Sequence, residues 1–187
     1  MKLIAGVDEV GRGCLAGPVM AAAVILPDDL PDIVLNDSKK MTAKAREKSY
    51  FELIRIAKIG VGVVSVYEID DIGIGAASLL AMQRAVARLE TTPDEVWVDG
   101  NTCPEMQLPT KAFVGGDAKY PCISAASIVA KVLRDQWMTT MDPHFPEFGF
   151  AKHKGYGTKQ HMQALVDHGA CRLHRRSFAP VKQALKL

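Results

Sequence analysis

Apolar residues along this chain change period several times, and each change marks an element. Leu3, Ile4, Val7 and Val10 read as a buried strand, and Pro18 to Leu26 as a second one closed by Pro27. The short glycine-bearing connection between them predicts an antiparallel pair. Thr42 opens a helix through about Ala57, with Arg46, Glu47 and Lys48 on its wet side. Ile59 to Val66 is a third strand, whose Gly60 and Gly62 leave room for a closely packed neighbour. A helical turn is expected over Glu68 to Gly73. Leu79, Leu80, Met82, Val86 and Leu89 then draw an apolar stripe along a helix from Ala76 to Leu89. Glu95 to Asp99 reads as a short buried strand, and Lys111 opens another that bends at Gly115-Gly116 to reach Asp117. Ile123 to Met141 is a helix carrying Ile128, Val129, Val132 and Leu133 inward, and Thr158 caps a last helix to about His168. No repeat or long linker interrupts this order. Residues 1–187 are therefore expected to form one α/β domain, with a basic, mainly helical C-terminal part from about 142.

Composition narrows the class. With 48% hydrophobic and 24% charged residues, the chain is ordinary globular protein and fits no disorder class. Acidic residues follow the first few apolar ones too soon for a secretory signal, and the longest apolar run, Val19 to Leu26, is too short for a bilayer. A cytoplasmic monomer with no membrane partner is expected. Cys14, Cys103, Cys122 and Cys171 contain no C-x-x-C pair, which argues against a zinc knuckle and for four free thiols. The net charge of +2 hides an asymmetry: residues 150–187 hold eight Lys or Arg against one acid, leaving 15 basic and 20 acidic residues before them. An acidic body with a basic tail region points to a polyanionic partner beside a carboxylate-lined site, or to a solvated basic helix.

The carboxylates carry the candidate chemistry. Asp8 and Glu9 sit inside the apolar first strand and are followed by Gly11-Arg12-Gly13. Desolvating an isolated carboxylate costs more than a single contact returns, so a cation must answer these acids, either an arginine or a metal ion. Asp99 and Asp117 end two further strands beside glycine. In one sheet, the four acids would converge at one edge and raise one another's pKa values unless divalent cations neutralised them. An all-oxygen set favours Mg²⁺ or Mn²⁺ over zinc, and two ions roughly 3.5–4 Å apart suit in-line displacement at phosphorus. Spacing alone is equally compatible with four unrelated surface acids. Adjacent strand residues point to opposite faces, so Asp8 and Glu9 share a metal pair only under one of two conditions. Either the backbone leaves regular geometry over Val7 to Val10, or Glu9 reaches round the sheet edge. Asp135, following Arg134 in a helix, points to a local ion pair. His161 and His168, at helical spacing without a third ligand, point to packing or surface positions. Tyr156 between glycines reads by itself as a loop anchor.

Seven segments occur together in order: V-D-E-V-G-R-G (7–13), N-D-S-K-K (36–40), V-D-G (98–100), G-G-D-A-K-Y-P (115–121), I-S-A-A-S-I-V-A-K-V-L-R-D (123–135), H-K-G-Y-G-T (153–158) and H-R-R-S-F-A-P-V (174–181). In these the chain resembles the ribonuclease HII family over nearly its whole length. The resemblance implies a ribonuclease H-like fold, a central five-stranded mixed sheet flanked by helices. It implies an endonuclease that acts on duplex DNA containing ribonucleotides and on RNA–DNA hybrids, using two Mg²⁺ or Mn²⁺ ions to give 3′-hydroxyl and 5′-phosphate ends. Asp8, Glu9, Asp99 and Asp117 would then be the metal-binding catalytic acids, with Asp8 bridging both ions. Gly11, Arg12 and Gly13 would present backbone groups to the 2′-hydroxyl, which both donates and accepts a hydrogen bond. Tyr156 would pack on the sugar at the RNA–DNA junction, where an extra hydroxyl would intrude. Lys39, Ser124 and Lys131 would sit near backbone phosphates, and the basic residues from Lys152 to Arg176 would contact phosphates without regard to sequence. Many relatives have Pro where this chain has Cys14; a small change in stiffness and none in activity is expected. The rival readings are a related nuclease of the ribonuclease HIII kind and a non-catalytic nucleic-acid-binding domain.

Overall fold

The apolar runs of the sequence are explained by a sheet covered on both faces. The computed structural model describes residues 2–186 apart from 32, 36, 37 and 39. Strand β1 (Ile4–Val10) pairs antiparallel with β2 (Val19–Ile25), which pairs antiparallel with β3 (Lys58–Val64). On its other side β1 runs parallel to β4 (Glu95–Asp99), and β4 runs parallel to β5 (Thr110–Phe113). The resulting order, β3-β2-β1-β4-β5, is the expected five-stranded mixed sheet.

Helix α1 (Ala43–Ile56) and the long α4 (Pro121–Met141) lie on one face, where Ala22, Val24, Leu53, Ala126 and Val129 form a core. The other face carries α2 (Val66–Ile72) and α3 (Ile74–Ala87), packed through Val7, Ala21, Val64, Met82 and Val98. Every residue of β2 is buried because helices cover both sides of it. A third core, built on Leu15, Met138, Phe148, Phe150, Leu165 and Val181, fastens the C-terminal helices α5 (Phe150–His153), α6 (Lys159–His168) and α7 (Ala179–Leu185) to the turn after β1.

Glycines set how closely the layers approach. A Cβ on Gly6 would lie 2.1 Å from the backbone of Cys122, so α4 begins directly on β1. Gly60 and Gly62 would meet the Ala85 and Ala81 carbonyls at 2.1 and 1.9 Å, so the neighbour that they were expected to admit is the α3 backbone.

Several boundaries differ from the expected ones, α3 running from Ile74 to Ala87 among them, and two of the differences have a plain physical cause. Strand β3 stops at Val64, two residues before its expected end, because Ser65 starts α2 with a capping box: its N–H donates to the Glu68 carboxylate at 2.9 Å and its oxygen accepts the Glu68 N–H at 3.3 Å. The helices also do not end near His168. Helix α7 follows, with Pro180 in its first turn, where the missing N–H costs nothing.

Gly6→Ala is expected to destabilise the fold by about 3 kcal/mol or more, since neither backbone can yield to the new methyl group. Gly75→Ala, at a helical position with nothing within 4 Å, is expected to be neutral or mildly stabilising. Urea unfolding followed by circular dichroism checks both; a Gly6→Ala midpoint equal to wild type would contradict the close approach.

Candidate active site

Parallel pairing of β1, β4 and β5 brings three strand ends side by side, and an acid stands at each. Asp8 lies near the end of β1, Asp99 closes β4, and Asp117 sits in a 3₁₀ turn (Gly116–Ala118) just beyond β5. Gly115, at φ 64°, supplies the left-handed conformation that starts the turn. Carboxylate oxygens of Asp8, Asp99 and Asp117 all lie within 4.8 Å of one another.

Backbone donors hold these acids in place. Asp8 Oδ1 accepts the Glu9 N–H at 2.7 Å, and Asp99 Oδ1 accepts the Gly116 N–H at 2.7 Å. Ser124 is buried and donates its hydroxyl to the Asp117 carbonyl, so it holds the turn that carries this acid. Burial pushes the Asp8 carboxyl well above its ordinary 3.8, and the nearby Glu9 and Asp99 push it the same way. Among the described residues, the ion pairs seen involve neither Asp8 nor Asp99. The donor set is all oxygen and negatively charged, which fits a hard divalent cation.

Glu9 is placed differently. Val7 to Val10 pair with Ala23 to Met20 without interruption, so the expected departure from regular strand geometry is not there. Alternation therefore holds: Asp8 faces the α4 side and Glu9 the α3 side, where it lines a cleft of about 260 Å³ with Arg12, Ser78, Met82, Asp99 and Asn101. Its carboxylate lies 3.3 Å from Arg12 and outside the three-acid group. The other expected route, Glu9 reaching round the sheet edge, is met only in that Glu9 shares this cleft with Asp99; its carboxylate does not join the three-acid group.

The glycine turn is anchored from below by two buried guanidinium groups. Arg134 donates to the carbonyls of Pro18, Lys154 and Ala16 at 2.9, 2.9 and 3.0 Å, and a Cβ on Gly11 would lie 2.2 Å from its Nε. Arg175 donates to the carbonyls of Gly17 and Arg12, both at 2.9 Å. Its Nη2 has no hydrogen-bond partner among the described residues, and burial lowers the pKa of the guanidinium to about 10. Arg175 was expected on phosphates with the other basic residues up to Arg176; fully buried, it cannot reach one. Above the turn, Gly13 is exposed and a Cβ there would meet nothing within 4 Å.

Tyr156 comes to the same turn from the C-terminal part through a backbone bridge to Cys14. Its ring is 38% exposed, with the Lys131 ammonium 5.5 Å from the centroid. Lys131 also pairs with Asp135 at 2.9 Å, so the local ion pair expected for Asp135 forms with Lys131 and not with its neighbour Arg134. Lys39 lies outside the described residues.

Several residues near the site went unrecognised in sequence. Ser38 in the N-D-S-K-K segment shares a 2.6 Å hydrogen bond with Ser127, whose hydroxyl in turn serves Asp8. Arg134 and the histidines His153, His161 and His174 are buried beside the turn and the Tyr156 loop. Membership of the seven segments was the available signal for Arg134, His153 and His174, whereas His161 lies in none of them. Burial lowers His161 and His174 from an ordinary 6.5 to about 4. All four cysteines are free thiols.

Known proteins resemble this chain over nearly its whole length. A family profile for ribonuclease HII matches residues 5–181. Ribonuclease HII of Verminephrobacter eiseniae is 55% identical over 98% of this chain and 88% of its own length. That of Burkholderia mallei is 50% identical over the whole chain and 87% of its own length. The crystal structure of ribonuclease H2 from Pyrococcus horikoshii superposes with a TM-score of 0.84 at 27% identity, over 98% of this chain and 97% of that one.

Two outcomes follow from these charges. Mg²⁺ should raise the unfolding temperature of the wild type by roughly 3 °C or more and leave Asp8→Asn unmoved; an equal rise in both, read by differential scanning fluorimetry, contradicts cation binding at this cluster. Acid sensitivity tests the histidines. Because His161 and His174 titrate near 4 when folded and near 6.5 when unfolded, the unfolded chain binds more protons between these values. Stability is therefore full above about pH 6.5 and falls as pH drops toward 4. Asp8, raised when folded, works in the opposite sense, so the test belongs in the Asp8→Asn background. A urea midpoint unchanged between pH 7 and pH 5 contradicts it.

Proposed function

This chain belongs to the ribonuclease HII family and is a metal-dependent ribonuclease H of type 2, and we propose that it hydrolyses the phosphodiester 5′ to ribonucleotides embedded in duplex DNA or in RNA–DNA hybrids. Water attacks phosphorus, the bond from phosphorus to the 3′-oxygen breaks, and the products carry 3′-hydroxyl and 5′-phosphate ends. The observation that carries this reading is the convergence of Asp8, Asp99 and Asp117 within 4.8 Å at the sheet edge where the glycine turn leaves β1.

Asp8, Asp99 and Asp117, joined by Glu9 from the cleft side, would hold two ions, Mg²⁺ or Mn²⁺. When bound, such ions lower the pKa of an attacking water and neutralise charge on the departing oxygen. The protein's own part is to keep the acids aimed. The N–H groups of Glu9 and Gly116 fix the Asp8 and Asp99 carboxylates before substrate arrives, and Ser124 fixes the Asp117 turn.

Recognition of ribose falls to Gly11, Arg12 and Gly13. The open space over Gly13 lets the backbone approach a 2′-hydroxyl closely, and Arg175 and Arg134 keep that backbone from moving away. Tyr156, half exposed, packs on the sugar that follows the ribonucleotide and rejects a further hydroxyl there. Lys131 and Lys39 meet backbone phosphates in a salt-dependent way.

The test is a DNA duplex with one ribonucleotide, incubated with Mg²⁺, Mn²⁺ or EDTA. The expected result is a single nick on the 5′ side of the ribose, abolished by EDTA and reduced at least about 1,000-fold in Asp99→Asn without loss of duplex binding. Tyr156→Ala should lower cleavage of this substrate more than that of a long hybrid. Cleavage confined to long hybrids, or binding without any nicking, contradicts the proposal.

A further inference from the structure

Behind the Tyr156 loop lie three imidazoles that the hydrolysis itself does not use. His153, His161 and His174 are 8%, 0% and 2% exposed, and their hydrogen-bond partners fix where each proton sits. The Cys171 N–H donates to His174 Nδ1 at 3.0 Å, so that nitrogen is bare and the neutral ring carries its proton on Nε2. Across a 2.9 Å gap stands His161 Nε2, which must accept. His161 therefore holds its proton on Nδ1 and donates it to the Tyr156 carbonyl at 2.9 Å. The third ring is set independently. Gly155 N–H donates to His153 Nδ1 at 3.2 Å, and His153 Nε2–H donates to the Phe148 carbonyl at 2.7 Å.

One directional chain thus runs from Cys171 through His174 and His161 to the peptide of Tyr156. Reversing either ring would set two N–H groups or two lone pairs against each other. An apolar filling would occupy the same volume without the desolvation that three imidazoles cost, so the gain lies in direction. At its end the Tyr156 carbonyl accepts twice, from His161 and from the Thr158 N–H at 2.8 Å. On the near side Gly155, at φ 85°, lies against Ala16, where a Cβ would come within 2.4 Å of the carbonyl oxygen. The backbone of Tyr156 is held from both directions while its ring stays open.

We propose that His161, oriented by His174, is a positioning residue that fixes the Tyr156 ring for the ribonucleotide–deoxyribonucleotide junction. The proposal rests on the role given to Tyr156 above. It makes the relay a determinant of substrate preference, acting through a backbone carbonyl and touching no substrate.

The readout is the ratio of kcat/KM on a single-ribonucleotide duplex to kcat/KM on a long RNA–DNA hybrid. His161→Phe keeps an aromatic ring and removes both hydrogen bonds, and should lower that ratio about tenfold. His161→Asn, whose amide nitrogen stands near the position of Nδ1, should recover most of it. In the Tyr156→Ala background His161→Phe should lower the ratio no further, because the two act in series. Equal losses on both substrates, or full additivity in the double variant, would overturn the proposal. Long-range ¹⁵N–¹H correlation spectra of the wild type test the relay without reference to activity: His161 is expected as the Nδ1–H tautomer, His153 and His174 as Nε2–H. Reversed tautomers with the Tyr156→Ala effect intact overturn the relay alone. The expected tautomers with an unchanged ratio in Tyr156→Ala overturn the role of Tyr156, and with it the functional half of the proposal.

Discussion

The mutual repulsion of carboxylates that the chain forces together is the constraint on which the rest of the structure turns. Asp8 is buried in a strand that is apolar but for the neighbouring Glu9, and its parallel neighbour delivers Asp99 to the same edge. Nothing about packing requires this. An asparagine would fill the place of Asp8 with less desolvation and no repulsion. The arrangement is sustained because β1 and β4 are fixed by their own cores, by the close contact of Gly6 with α4 and by the apolar layer under α3. Stability stored in the sheet thus holds a cluster that would otherwise disperse, and a divalent cation bound there would relieve it.

The C-terminal part completes the site by reaching back to the start of the chain. Arg134 and Arg175 are fully buried and bond to carbonyls between Arg12 and Pro18, with Arg134 also reaching Lys154. Among the described residues, carbonyl oxygens accept every hydrogen bond seen from these guanidinium groups and Arg175 Nη2 is left over, so no carboxylate is bonded to either charge beneath the turn. That is a favourable place for it if a polyanion lies above. The same region brings Tyr156 next to Cys14, so the residues proposed to read the ribose and the following sugar share one scaffold. Their spacing is set by backbone hydrogen bonds, which vary less than side-chain contacts.

Much of this was legible in the sequence because it lives in local pattern. The strands, the caps at Thr42 and Thr158, the close packing over Gly60 and Gly62, and the acids at strand ends all leave marks of period two, period 3.6 or glycine placement. What was not legible depends on partners far apart in sequence. Arg175 looked like a phosphate ligand because nothing nearby says that its guanidinium bonds to Gly17 and Arg12. His161 packs inside, as expected, but its hydrogen-bond partner is the distant His174 and not the helically spaced His168. Glu9 posed a parity question that a sequence can state but not answer: the strand is regular, so it stands on the opposite face from Asp8.

The central claim is that this acidic edge is a divalent-cation site. Anomalous diffraction from crystals soaked in Mn²⁺ tests it most directly. Peaks within coordination distance of Asp8, Asp99 and Asp117, lost in Asp8→Asn, are the predicted result. Manganese peaks only elsewhere on the surface, with these three carboxylates unliganded at saturating metal, would contradict it.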